Sequence, residues 1–143
     1  MNDMTMIKDL TFIKSYDGIA SEDYCKKMIQ HWEYLSANSS HNMIDSTTDY
    51  RAVERKDNAF GFDHARNEAM DLVSDTHQIL DKALRKYEND YPSLPMKKYY
   101  SNNVKVQRTE PKGGYHQFHS EHHTGEASTR TLTWTIYLND IPK

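Results

Sequence analysis

The sequence predicts an α+β domain. Three observations carry this. Apolar residues recur at helical spacing in two early stretches, about residues 21–38 and 64–89. Apolar and polar residues alternate at 104–108 and again at 131–138. The helical stretches come first and the alternating stretches last, unlike the strand–helix alternation of a parallel sheet.

Taken in order, Leu10, Phe12 and their neighbours to Tyr16 read as a strand, closed by a turn at Asp17 and Gly18. Ser21 is placed to cap a helix, with Glu22 and Asp23 at its positive end. Cys25, Met28, Ile29, Trp32 and Leu35 then form its apolar stripe, and the turn-rich Asn38, Ser39 and Ser40 end it. Residues 38–60 are polar and show no clear period. Asp63 is placed to cap the second helix. Its stripe is Ala69, Leu72, Val73, Thr76, Ile79, Leu80, Ala83, Leu84 and Tyr87, the regularity expected of core packing. Pro92 and Pro95 end it. Residues 104–110, 115–121 and 131–138 are expected as antiparallel strands of one sheet, with the second helix packed on its outer face. In the last of these, Leu132, Trp134, Ile136 and Leu138 share one face and Thr131, Thr133, Thr135 and Tyr137 the other.

Bulk properties narrow the function classes. The 143 residues make one domain by length. With 36% hydrophobic residues and a mean hydropathy of -0.93, ten Tyr and two Trp must carry much of the burial. The formal charge of -3 and the lack of a basic patch argue against nucleic acid as a partner. No run is long enough to span a membrane, and the first ten residues lack an apolar signal core. Cys25, the single cysteine, can form no internal disulfide. These features favour a reducing, cytoplasmic setting.

Chemistry concentrates in residues 116–123, His-Gln-Phe-His-Ser-Glu-His-His, which hold four of the eight histidines. On a strand, His119 and Glu121 are at i and i+2 and point to one side. An imidazole and a carboxylate so placed are two-thirds of a two-His-one-carboxylate iron site. Composition equally allows a solvated, histidine-rich loop with adventitious affinity for metal. A structural zinc site is less favoured, because Cys25 is remote. A metalloprotease helix lacks its His-Glu-x-x-His, and a nucleophilic triad lacks a serine in an elbow.

Three stretches together carry a resemblance. These are Val-Lys-Val-Gln-Arg at 104–108, Gly-Gly-Tyr-His-Gln-Phe-His-Ser-Glu at 113–121, and Arg-Thr-Leu-Thr-Trp-Thr-Ile-Tyr-Leu-Asn-Asp at 130–140. They resemble the prolyl 4-hydroxylase-like branch of the 2-oxoglutarate/Fe(II)-dependent dioxygenases. The likeness is strong over about 104–143 and weak at Arg55, Lys56 and Asp57 and in the opening strand and helix.

The resemblance implies a double-stranded β-helix, or jelly roll, with the N-terminal helices packed on one sheet. It implies Fe(II) and the co-substrate 2-oxoglutarate, with His119 and Glu121 as metal ligands. Glu121 stands where relatives more often have Asp. Tyr137 matches a position that binds the distal carboxylate of 2-oxoglutarate, and Arg130 one that touches substrate at the site mouth. The implied chemistry is hydroxylation of a peptidyl or small-molecule C–H, releasing succinate and CO2. The likeness also stops short. Relatives often carry a tyrosine about ten residues before the first ligand, where this chain has Arg108 and Thr109. The distal histidine and the basic residue that clamps 2-oxoglutarate find no counterpart before Lys143, so the enzyme assignment is incomplete. On that reading residues 1–143 are a single, truncated domain, helical over about 19–92 and sheet over about 99–143. Its C-terminal strands, on the order of 50 residues, would be missing. A C-terminal fragment or a second chain would then complete the sheet.

Overall fold

The computed structural model describes residues 12–38, 43–45, 55–56, 58–62, 69–92, 94, 99–101, 104–115, 120–121 and 124–140. Helix α1 spans Glu22–Ala37. The Ser21 side chain accepts from the Tyr24 backbone N–H at 3.2 Å, as the sequence predicts. Lys26 and Lys27 pair with Glu22 and Asp23 one turn back, the favourable order along a helix. Helix α2 spans Met70–Asp90, with Ala69 at its N-cap and no side-chain cap. The helix therefore begins after Asp63, which lies outside the described residues along with 64–68.

Among the described residues there are five strands: β1 at Met43–Asp45, β2 at Arg55–Lys56, β3 at Asn58–Phe62, β4 at Val104–Arg108 and β5 at Gly114–Tyr115. β1, β3 and β4 form an antiparallel sheet in that order, with Phe60 opposite Val106 and Phe62 opposite Val104. β2 and β5 make a separate two-residue ladder. Three strands thus lie between the helices, in the stretch where the sequence showed no clear period.

One core joins the helices to the sheet. Tyr24, Met28 and Trp32 from α1, Val73 and Ile79 from α2, and Val104 and Val106 from β4 are buried together. Every residue of the expected α2 stripe is buried or half-buried. On α1 the pattern missed Tyr24, whose hydroxyl meets Thr76 at 2.8 Å inside the core. The Thr76 hydroxyl donates to the Leu72 carbonyl at 2.7 Å. Its one proton is thereby used, so Tyr24 is the donor to Thr76. Burial pushes the Tyr24 phenol above its ordinary value. Cys25 is half-buried beside this core, and burial pushes its thiol up, away from the reactive thiolate.

The jelly roll is not what this chain forms. That fold needs eight strands in two facing sheets. Among the described residues there is one three-stranded sheet, one two-residue ladder and two helices that share the core with β4. Residues 131–138 keep their alternation, with Leu132, Trp134, Ile136 and Leu138 half-buried and Thr131, Thr133, Thr135 and Tyr137 exposed. Trp134, Ile136 and Leu138 pack on the core. Among the described residues the segment nonetheless belongs to no ladder. Among the described residues, β5 pairs with β2, and residues 116–119 of the strand expected at 115–121 lie outside the described residues.

Residues 12–16 form no strand either. They lie along the end of α2, where tyrosines tie them down. The Tyr87 hydroxyl donates to the Phe12 carbonyl at 2.8 Å and the Tyr16 hydroxyl to Asp90 Oδ2 at 2.6 Å. Phe12 and Tyr87 both pack on the Tyr91 ring. Among the described residues, no helix is long and apolar enough to cross a membrane.

Candidate metal centre

The histidine run is entered through a tight turn. The Gly113 N–H donates to the Glu110 carbonyl at 2.8 Å. Pro111 follows the first corner, and Lys112 sits at φ 64°, the left-handed conformation a type II turn needs at its third residue. Gly114 then takes φ 114°, a conformation that disfavours any side chain. β5 follows at once, with Lys56 opposite Gly114 and Arg55 opposite Tyr115. The backbone of Arg55 and Lys56 is thereby set against the entry to the histidines. Only the weak likeness around these two residues hinted at this, because the pairing spans a long sequence separation.

His116, His119, His122 and His123 lie outside the described residues. Glu121 is described, with its side chain 47% exposed. Arg130 Nη1 donates to Glu121 Oε2 at 2.7 Å and, more weakly, to the Glu121 carbonyl at 3.4 Å. Between the two residues a 3₁₀ turn, Gly125–Thr129, folds the chain back. Gly125 starts it at φ 68°, and the Ser128 hydroxyl closes it on the Gly125 carbonyl at 2.6 Å. The turn is what brings Arg130 onto Glu121.

Of the four residues singled out from sequence, Glu121 and Arg130 are thus in direct contact. Tyr137 is 81% exposed, on the outward, threonine-bearing face of its segment. Among the described residues no group of three or more His, Cys, Asp or Glu could hold a metal ion, and the four histidines of the run are not among them. The donor types themselves fit iron. Neutral imidazole and carboxylate are the ligands non-haem Fe(II) takes, and the carboxylate is open to solvent. Its Oε2 already accepts from Arg130, so a metal would share Glu121 with the guanidinium or displace it.

No protein-family model, curated protein or solved structure matches the chain.

Proposed function

We propose that this chain carries the metal-binding segment of an Fe(II)- and 2-oxoglutarate-dependent oxygenase. In this reading His119 and Glu121 hold the metal. Tyr137 hydrogen-bonds the distal carboxylate of 2-oxoglutarate, and Arg130 contacts the substrate. The bound iron would supply the oxidising chemistry. 2-Oxoglutarate, O2 and a peptidyl or small-molecule C–H would give succinate, CO2 and the C–OH product. The protein's part is to present the two donors on one side, with the Arg130 guanidinium 2.7 Å from Glu121 Oε2.

What supports this reading is the likeness over about 104–143 and the i, i+2 spacing of His119 and Glu121. The Glu121–Arg130 ion pair at 2.7 Å brings two of the four motif residues together, but it occupies the carboxylate with a half-exposed arginine, the arrangement expected if Glu121 is not a ligand. The test is succinate formation from 2-oxoglutarate, anaerobically and then with oxygen. The expected result is turnover that requires Fe(II) and O2, is slight in the chain alone, is abolished by His119→Ala and is kept by His116→Ala. Turnover that survives His119→Ala would contradict the reading.

A second reading rests on the same contact. An arginine that also reaches the Glu121 carbonyl works as a loop clasp, which makes Glu121 structural. The histidines would then form a metal-binding module without turnover. Metal binding that survives Glu121→Gln, with no succinate formed, is the result that favours this reading.

A further inference from the structure

Residues 131–138 alternate half-buried and exposed side chains, and among the described residues their backbone belongs to no ladder. Natural sheets guard such edges with Lys, Pro, bulges or covering loops. This segment, Thr-Leu-Thr-Trp-Thr-Ile-Tyr-Leu, has no charge, no proline and no glycine. It is rich in the β-branched and aromatic residues that strands favour. Its outward face, Thr131, Thr133, Thr135 and Tyr137, is exposed.

The geometry points to a second copy of this chain as the partner of that edge. We propose that two copies pair antiparallel through residues 131–138 about a two-fold axis at Thr135. The pattern is self-complementary in that register. Leu132 falls opposite Leu138 and Trp134 opposite Ile136, all on the face that already packs on the core. Thr133 falls opposite Tyr137 on the outward face. The charges that flank the segment then meet. Arg130 of each copy lies opposite Asp140 of the other, and both residues are exposed. No other register of the segment places these opposite charges together twice. Trp134, Ile136 and Leu138 already anchor the segment on the core within one copy, so pairing meets little further ordering cost. Each new backbone hydrogen bond satisfies a group otherwise left to water. The pairing does not require the metal chemistry above, although it draws on Arg130, which within one copy pairs with Glu121, and on Tyr137.

The test is sedimentation of the 143-residue chain over a wide concentration range. A concentration-dependent monomer–dimer equilibrium is expected. Thr135→Lys sets two ammonium groups face to face at the axis, and it changes an exposed residue. It should weaken dimerisation by about tenfold or more, with the far-UV circular dichroism unchanged. Asp140→Arg and Arg130→Asp should each weaken it as well. Mixing these two variants in equal amounts should restore pairing, because each then meets its opposite charge. A variant that merely misfolds would not be rescued by mixing. A chain that stays monomeric at every concentration overturns the proposal. So does a dimer indifferent to Thr135→Lys, or a mixture no tighter than its components.

Discussion

The α1–α2 pair and the stretch from β4 to Asp140 have equally regular sequence patterns, yet only the first is closed within itself. In the helices, one local repeat settles both the buried stripe and the backbone hydrogen bonds. Met28 and Thr76 are each 1% exposed at the heart of that packing. In the later stretch the period-2 alternation settles only which side chains face the core. The backbone partner is a separate, non-local choice. Among the described residues β4 finds β3, β5 finds β2, and residues 131–138 find none. A clean alternation is thus a statement about faces, and a ladder has to be established separately.

The sharpest way to break that comparison is by truncation on each side. Met28→Ala should cost about 2–4 kcal/mol in urea unfolding, since it leaves a cavity in a filled core. Trp134→Ala, from a half-buried position, should cost less than a fully buried aromatic does, about 1–3 kcal/mol. If Trp134→Ala proves the more costly of the two, the C-terminal segment is as integral to the fold as the helices.

Next in size is the buried hydroxyl pair. Thr76→Val strands the Tyr24 phenol without its acceptor and should cost about 1–3 kcal/mol. Adding Tyr24→Phe to that variant should recover part of the loss, because both polar groups are then gone. A double variant worse than Thr76→Val alone would assign the Tyr24 hydroxyl a different partner.

The same phenol makes stability depend on alkaline pH. Burial raises the Tyr24 value in the folded state, and at the half-buried Tyr16 desolvation, with Asp90 beside it, acts in the same direction. Their contribution is complete below the ordinary tyrosine value, about pH 10. Above it the unfolded chain ionises first, and the stability falls as pH climbs towards the folded values. Denaturation midpoints at several pH values should show this decline, less steeply in Tyr24→Phe. A flat profile would mean that Tyr24 is not shielded.

The helices were legible because their signals are short-range. Ser21 caps α1 and the Ala69-to-Tyr87 stripe faces the core, both as the spacing requires. Tyr24 escaped notice because a tyrosine before the stripe reads as polar until Thr76 appears across from it. β1 and β3 escaped notice because three to five residues cannot show a period, and their partners are distant in sequence. The likeness to the dioxygenases pointed to the residues that could carry chemistry and overreached on architecture. Its jelly roll required ladders that 131–138 does not make. At the candidate site, the Glu121–Arg130 contact was not legible, because it depends on the turn that folds residues 125–129 back.

The smallest expected effect comes from that contact. Arg130 and Glu121 are both about half exposed, so Arg130→Ala should change stability by no more than about 1 kcal/mol. A loss well beyond that in thermal unfolding would mark the pair as a structural clasp and favour the second functional reading.

The claim that matters most is that His119 and Glu121 bind one metal ion. Co(II), whose visible absorption reports its ligands, should be titrated into the chain and its single-site variants. The account predicts one site, weakened about tenfold or more by His119→Ala and by Glu121→Gln. Arg130→Ala should tighten it, since the carboxylate no longer divides itself between guanidinium and metal. His116→Ala should leave it nearly unchanged. Equal, partial losses for every histidine in the run, with Glu121→Gln indistinguishable from the parent chain, would contradict the account and leave a histidine-rich loop in its place.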